Sequence, residues 1–424
     1  MGPPSQRPPT SRDIRHPEIS PRHSSAVSVF APAPFRRTDN SCRVVLKNRI
    51  AKAAMSDDLG DGCGSPTEAQ QRLYGLWAAG GAAMSLVGET QIGPWAPENY
   101  GNLVLEPLRE IKHFHALAEA ATANGTHFWA QLGHAGALAV PVSGPAKAPS
   151  VLDVSGIHAV EMTAEEVGAL PDIYAKAALN ARSAGFTGVE IHAAHGFLLN
   201  QFLSPLFNRR TDRWGGSPER RAQLLLEIIA SVRSTVGPGF PVAVKINATD
   251  QLAGGIEEAE ALDLVAMLEE TEIDLIDISG GAYFPGAAAA SDGTKAGPYF
   301  LDFARMARNR TGKPLMTAGG FKKKAEAEEA LSSGAVDMVG LARALVLDPA
   351  LPGKWLRETG EESVFPRFSS RPPGGVTAWY TERLRQWGTH GAADGQGSVE
   401  EALAQVERRK ISNAALWKNH FRTE

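Results

Sequence analysis

Two histidines, His192 and His195, sit three positions apart in the run Gly188-Val189-Glu190-Ile191-His192-Ala193-Ala194-His195-Gly196-Phe197. Val189 and Ile191 among small residues read as a short buried strand. The imidazoles therefore arrive where a strand hands over to a loop, which is where chemistry concentrates in a parallel α/β fold. Two imidazoles held there can donate hydrogen bonds to one oxygen and polarise a carbonyl or nitro group. A buried structural pair, or two ligands of a metal, fits the same residues. Lys245, inside Val242-Ala243-Val244-Lys245-Ile246, is a cation in an apolar strand, costly to bury without an anion. Two further runs, Thr317-Ala318-Gly319-Gly320 and Gly340-Leu341-Ala342-Arg343, are small-residue turns. Glycine there lets backbone N–H groups approach phosphate oxygens, and Arg343 can pair with them in a bidentate way. Taken singly, each turn is as readily a tight passage from strand to helix.

The elements that must position these residues follow from hydrophobic periodicity. Apolar, strand-like runs at 49–55, 85–92, 127–133, 188–194, 241–248, 275–280, 314–319 and 338–343 alternate with helix-like spacing at 68–79, 108–123, 164–184, 217–236, 256–270, 299–311 and 325–334. Eight such alternations predict a parallel sheet, and closing it gives a TIM (β/α)8 barrel. A doubly wound sheet is the alternative, but no Gly-x-Gly-x-x-Gly opens a first helix. Residues 27–50 hold two short apolar runs around Arg36-Arg37-Thr38-Asp39-Asn40-Ser41, a hairpin signal. The expected organisation is a disordered tail over 1–26, a barrel with its hairpin over 27–348, and a partly helical C-terminal extension over 349–424. In that extension 372–375 and 388–397 are breakers, while 399–417 has helical spacing. The extension is expected to pack on the barrel or on a neighbouring copy, which leaves a homo-oligomer open.

Composition narrows the function. The formal net charge of −4 gives no basic footprint for nucleic acid. Only Cys42 and Cys63 occur, so neither a disulfide framework nor a zinc or iron–sulfur set is expected. No apolar run approaches the roughly 20 residues of a membrane span. The Pro-, Ser- and Arg-rich start lacks the apolar stretch of a secretory signal, so a cytoplasmic setting is expected.

The run 190–221 closely resembles the signature of the old yellow enzyme family, the FMN-dependent NADH:flavin oxidoreductases and ene-reductases, and the resemblance extends over roughly 44–348. It implies a hairpin closing the barrel's bottom. It implies FMN as cofactor, with NADH or NADPH as reductant. His192 and His195 would anchor the substrate's electron-withdrawing oxygen, and Gly319, Gly320, Ala342 and Arg343 would hold the FMN phosphate. Gln131 matches the glutamine on the flavin's pyrimidine edge, and Lys245 takes the place of the usual arginine. Ala53, Ala54 and Met55 align with the backbone under the ring, and Ser56 with a Thr or Cys near its reactive edge. Glu89 falls where small residues flank the ring.

Phe197 departs from this pattern. Relatives that reduce activated alkenes carry a tyrosine there as proton donor, and phenylalanine has no proton to give. Tyr283, Tyr100 and Asp58 are the other candidate acids, Tyr283 foremost. The expected function is hydride transfer from NAD(P)H through flavin N5 to an activated, α,β-unsaturated carbonyl-like small molecule. Phe197 keeps a flavin-dependent isomerase, dehydrogenase or oxidase as the alternative, and a non-catalytic barrel scaffold stands behind both.

Overall fold

In the computed structural model, residues 28–29, 31–36, 43–287, 297–359, 362–393 and 397–422 are described. The hairpin is β1 (Ala33–Arg36) and β2 (Arg43–Leu46), antiparallel, with Ala33 opposite Leu46. The turn residues 37–41 and the tail 1–26 lie outside the described residues. The barrel begins with β3 (Ile50–Lys52) and β4 (Met84–Gln91), joined by helix α1 (Glu68–Ala79). Then come β5 (Leu103–Val104), α2 (Ile111–Ala121) and β6 (His127–Gly133). An insertion of three strands, β7 (Ala146–Ala148), β8 (Leu152–Val154) and β9 (Ile157–Glu161), leads into α3 (Ala164–Ser183). The barrel resumes with β10 (Gly188–Ala193), α4 (Leu198–Leu203), α5 (Pro218–Val236), β11 (Val242–Asn247), α6 (Glu258–Glu269) and β12 (Leu275–Ser279). It closes with α7 (Leu301–Arg308), β13 (Leu315–Ala318), α8 (Lys324–Ser332), β14 (Met338–Leu341) and α9 (Arg343–Leu347). Three helices follow: α10 (Leu351–Arg357), α11 (Gly375–His390) and α12 (Val399–His420).

Strand order runs β3-β14-β13-β12-β11-β10-β6-β4, all parallel, and β3 also pairs with β4, so the eight-stranded sheet closes on itself. This is the TIM barrel expected from the alternating runs. Both faces of these strands are buried, which is why they read as near-continuous apolar runs. Helix starts match their sequence signals: Thr67 with Gln70, Thr163 with Glu166 and Ser398 with Glu401 form capping boxes.

Side chains alternate across each strand, so the lumen can be read in layers. Ala51, Met84, Leu86, Trp129, Ala243, Leu275, Met316 and Met338 form one buried apolar cluster with Ala33, Val44 and Leu46 of the hairpin, which stops the lower end. One alternation further along, the lumen turns polar, with Gln131, Glu190, Lys245 and Asp277 in place of those apolar residues. The larger apolar cluster, including Leu73, Trp77, Val189, Ile191, Val244 and Ile246, lies between strands and helices.

The sequence reading missed two features. The strands β8 and β9 turn through Ser155 (φ 49°) and Gly156 (φ 86°), both left-handed. Ser-Gly between short runs is the signal of such a two-residue hairpin. In the extension, the glycines taken as breakers instead bracket α11. Gly374 (φ 76°) and Gly391 (φ 70°) stand at its caps, and Gly388 inside it allows close approach to α1, since a Cβ would meet the Ala69 carbonyl oxygen at 2.6 Å.

Candidate functional site

One cavity of about 1200 Å³, counting its open mouth, lies at the C-terminal ends of the barrel strands. Ala54, Met55, Ser56, Tyr283, Gly319, Gly320, Ala342 and Arg343 line it, together with Glu98, Tyr299 and Lys322. Its outer wall is the extension, through Phe365, Val376, Thr377, Tyr380, Thr381 and Leu384. Ala53, Glu89, Gln131, Lys245, His192, His195 and Phe197 do not line it.

Backbone builds one end. Gly319 (φ 104°) and Gly320 (φ 88°) are left-handed, and a Cβ on Gly320 would stand 2.0 Å from the Gly297 carbonyl oxygen. A Cβ on Gly340 would crowd those of Ala318 and Ala53, at 3.0 and 3.3 Å. The chain is thus tightly packed at these turns beside Arg343, whose guanidinium lies 5.7 Å from the Tyr380 ring centre. Ala342 has φ −110°, outside the left-handed region that favours glycine. The floor is also backbone. Gly88 bridges to Ser56, and a Cβ on it would fall 2.4 Å from the Met55 carbonyl carbon. Glycine backbone, a guanidinium and a backbone floor are the kinds of group that suit a flavin's phosphate and ring.

At the other end of the site, beside the cavity and next to Tyr283, buried side chains form a network. Strand register puts Gln131 beside Glu190, and aligns His192, Lys245 and Asp277 in one row. Lys245 Nζ donates to Asp277 Oδ2 at 2.5 Å, and Gln131 Nε2 donates to Glu190 Oε1 at 2.7 Å. Burial, and then the charge of Asp277, push the Glu190 carboxyl up, while burial pushes that of Asp277 up. Glu190 Oε2 and Asp277 Oδ1 make no ordinary hydrogen bond. Two buried acids thus face the single positive charge of Lys245, and burial works against both ionising together.

His192 is buried, and its Nδ1 accepts the Ala194 N–H at 3.3 Å. That acceptance puts the ring proton on Nε2, which lies 3.2 Å from Glu89 Oε1. Burial and Lys245 hold this imidazole neutral, with its pKa well below the ordinary range. His195 Nε2 lies 2.8 Å from Ser279 Oγ, and the two rings meet edge to face, 5.1 Å apart. The imidazoles therefore engage two separate partners. Asn247 Oδ1 accepts the His195 N–H at 3.1 Å and fixes the left-handed turn there (φ 63°).

Glu89 also carries a left-handed φ, 56°, at the place where the β4–β6 register shifts between Val87 and Thr90. The bulge re-aims its side chain at His192. Sequence alone could not give that direction, because it depends on the extra residue. Glu190, Asp277 and Glu98 were missed for a related reason: each looks ordinary until strand pairing shows its neighbours.

The three candidate acids separate. Tyr283 lines the cavity, its ring 5.9 Å from that of His195 and 5.6 Å from that of Phe197. The Tyr100 hydroxyl donates to the Pro141 carbonyl at 2.6 Å, and its ring packs on Trp417. Asp58 turns toward Arg409 of α12, 3.5 Å away. Among the described residues no group of three or more His, Cys, Asp or Glu could hold a metal, and no helix is long and apolar enough to cross a membrane.

The chain is similar to known proteins over most of its length. A "NADH-dependent flavin oxidoreductase" from Neonectria sp. is 33% identical over 73% of this chain, and the chain spans 45% of that protein's length. An "NADPH dehydrogenase" from Bacillus licheniformis is 34% identical over 73% of this chain and 90% of its own. The old yellow enzyme homologue of Zymomonas mobilis superposes with a TM-score of 0.68 at 25% identity, covering 84% of this chain and 99% of its own. The family model described as "NADH:flavin oxidoreductase / NADH oxidase family" matches residues 37–360. With that span of match, the chain belongs to this family, the old yellow enzyme group of FMN-dependent oxidoreductases that draw on NADH or NADPH.

Proposed function

We propose that this chain transfers hydride from NAD(P)H, through bound FMN, to an activated alkene such as an α,β-unsaturated carbonyl compound. One observation carries the reading. A single cavity joins a backbone-built anion cradle at Gly319, Gly320 and Arg343 to a floor at Ala54, Met55 and Ser56 and a phenol at Tyr283. FMN, when bound there, supplies reversible two-electron chemistry to nicotinamide and substrate in turn. Arg343 and the glycine turns grip its phosphate, and Gln131 and Lys245 serve its polar edge. His192 and His195 exchange Glu89 and Ser279 for the substrate's oxygen. Being neutral, they polarise that oxygen by hydrogen bonding as charge develops on it. A cytoplasmic setting suits an enzyme fed by reduced nicotinamide.

Phe197 favours a second reading, a redox-neutral isomerisation or a dehydrogenation that needs no proton at that point. Tyr283, against the Phe197 ring, weakens it by returning a proton-bearing group to the same wall. The test is anaerobic. Flavin-loaded protein is reduced with NADH or NADPH and mixed with 2-cyclohexen-1-one. Reoxidation of the flavin with formation of cyclohexanone is expected; flavin that stays reduced with enones and nitroalkenes alike would sink the proposal.

A further inference from the structure

We propose that Glu98 is the acid that delivers the proton to the substrate carbon, in place of the tyrosine that Phe197 displaces. The inference rests on the reaction proposed above and names the missing proton source. Among the described residues Glu98 is the one carboxyl that lines the cavity. It lies on the loop between β4 and β5, where Ser56 Oγ donates to its Oε2 at 2.9 Å and Asn102 Nδ2 at 3.4 Å. Ser56 belongs to the floor, so this bond holds the carboxyl over the same surface on which the ring must rest. Oε1 makes no hydrogen bond with the described residues and is free to carry a proton to a guest. Tyr283 and Glu98 share the cavity, whereas Asp58 and Tyr100 are turned to other partners.

The surroundings fit an acid that works near neutral pH. Burial and the neighbouring Glu89 push the Glu98 carboxyl up to about 7, against the pull of the Ser56 and Asn102 hydrogen bonds and of Lys410 from α12. Asp58 faces it from the loop after β3. Proton transfer is most effective from a group whose pKa lies near the working pH. The step balances. Hydride adding to the β-carbon leaves an enolate; the Glu98 O–H bond breaks, the α-carbon C–H bond forms, and water at the open mouth reprotonates the carboxylate.

Glu98→Gln keeps the shape and the Ser56 hydrogen bond while removing the acid. In the flavin-loaded variant, reoxidation by 2-cyclohexen-1-one should fall by about 100-fold or more. Reduction by NAD(P)H should be unchanged, as should reoxidation by 1,4-benzoquinone, whose hydrogens end on oxygen and need no positioned acid. The wild-type enone rate should decline as pH rises through about 7, and the variant's rate should be flat there. Independently of turnover, the infrared spectrum of the wild type at pH 6 should contain a protonated-carboxyl band that Glu98→Gln lacks. An unchanged enone rate in Glu98→Gln, or a loss confined to Tyr283→Phe, would overturn the assignment while leaving the proposed reaction standing. Failure of wild-type flavin to be reoxidised by any enone would instead overturn the reaction.

Discussion

The site has two ends built from different materials, the cavity and a buried network beside it that does not line it. At the phosphate end the shape comes from the main chain: left-handed Gly319 and Gly320, and a Gly320 Cα so close to the Gly297 carbonyl that no side chain fits. The redox end is the network of buried ionisable side chains Glu89, Glu190, His192, Lys245 and Asp277, joined by ion pairs and hydrogen bonds. A backbone cradle has no titrating groups of its own and tolerates no added atoms. A side-chain network accepts isosteric changes but responds to charge and to pH. The contrast teaches that binding and reactivity in this molecule can be damaged separately.

The largest effect should come from the redox end. Lys245→Met deletes the cation that faces Glu190 and Asp277, leaving buried acids without their partner. Breaking such a pair costs about 3–5 kcal/mol, and denaturant unfolding of the flavin-free protein should show a loss of that size, greater at pH 8 than at pH 5. A loss below about 1 kcal/mol would mean that the acids simply take up protons. The network would then be far softer than its geometry implies.

Next comes the phosphate end. Gly320→Ala must push the Gly297 carbonyl aside and hold an alanine at φ 88°. Left-handed strain alone is worth about 1–2 kcal/mol, and with the displaced carbonyl FMN affinity should fall on the order of 100-fold. Fluorescence titration with FMN measures this. Barrel stability should change far less than affinity, and equal losses in both would erase the distinction between the two ends.

A smaller effect is set by pH. Burial raises the Glu89 carboxyl from 4.5 to about 8, and Glu190 is raised in the same direction by burial and Asp277. A raised acid stabilises the fold fully below its unfolded value, and that contribution is lost as pH climbs through the folded value. The Tm of the flavin-free protein should therefore drop by several degrees between pH 5 and pH 8. Glu190→Gln should flatten the slope. A wild-type Tm that rises over this window would contradict the burial of these acids in protonated form.

How much of this was legible beforehand follows the same division. Local signals sufficed for the barrel, because eight strands buried on both faces write themselves as apolar runs. They sufficed too for the turns at Gly319 and Gly320, whose left-handed shape depends on the absence of side chains. The partners at the redox end were not legible. Glu190 opposes Gln131, and Asp277 opposes Lys245, only through inter-strand register, and Glu89 turns inward only through a bulge. Lys245 did announce that an anion must exist, since a buried cation requires one, but not which residue supplied it. In the extension, Gly374 and Gly391 were visible as punctuation. Whether a glycine breaks a helix or caps it depends on the chain on either side.

The smallest predicted effect tests the cradle where it departs from the family pattern. The family resemblance puts Ala342 at a position that is commonly glycine, yet its φ of −110° lies outside the left-handed region that favours glycine. Restoring the family residue by Ala342→Gly should leave FMN affinity within about twofold. It should lower stability by about 0.5–1 kcal/mol, through the greater freedom glycine adds to the unfolded chain. A large gain in affinity would show that the Ala342 methyl, which lines the cavity, obstructs the phosphate. The cradle would then be shaped by a side chain after all, and the line between its two ends would have to move.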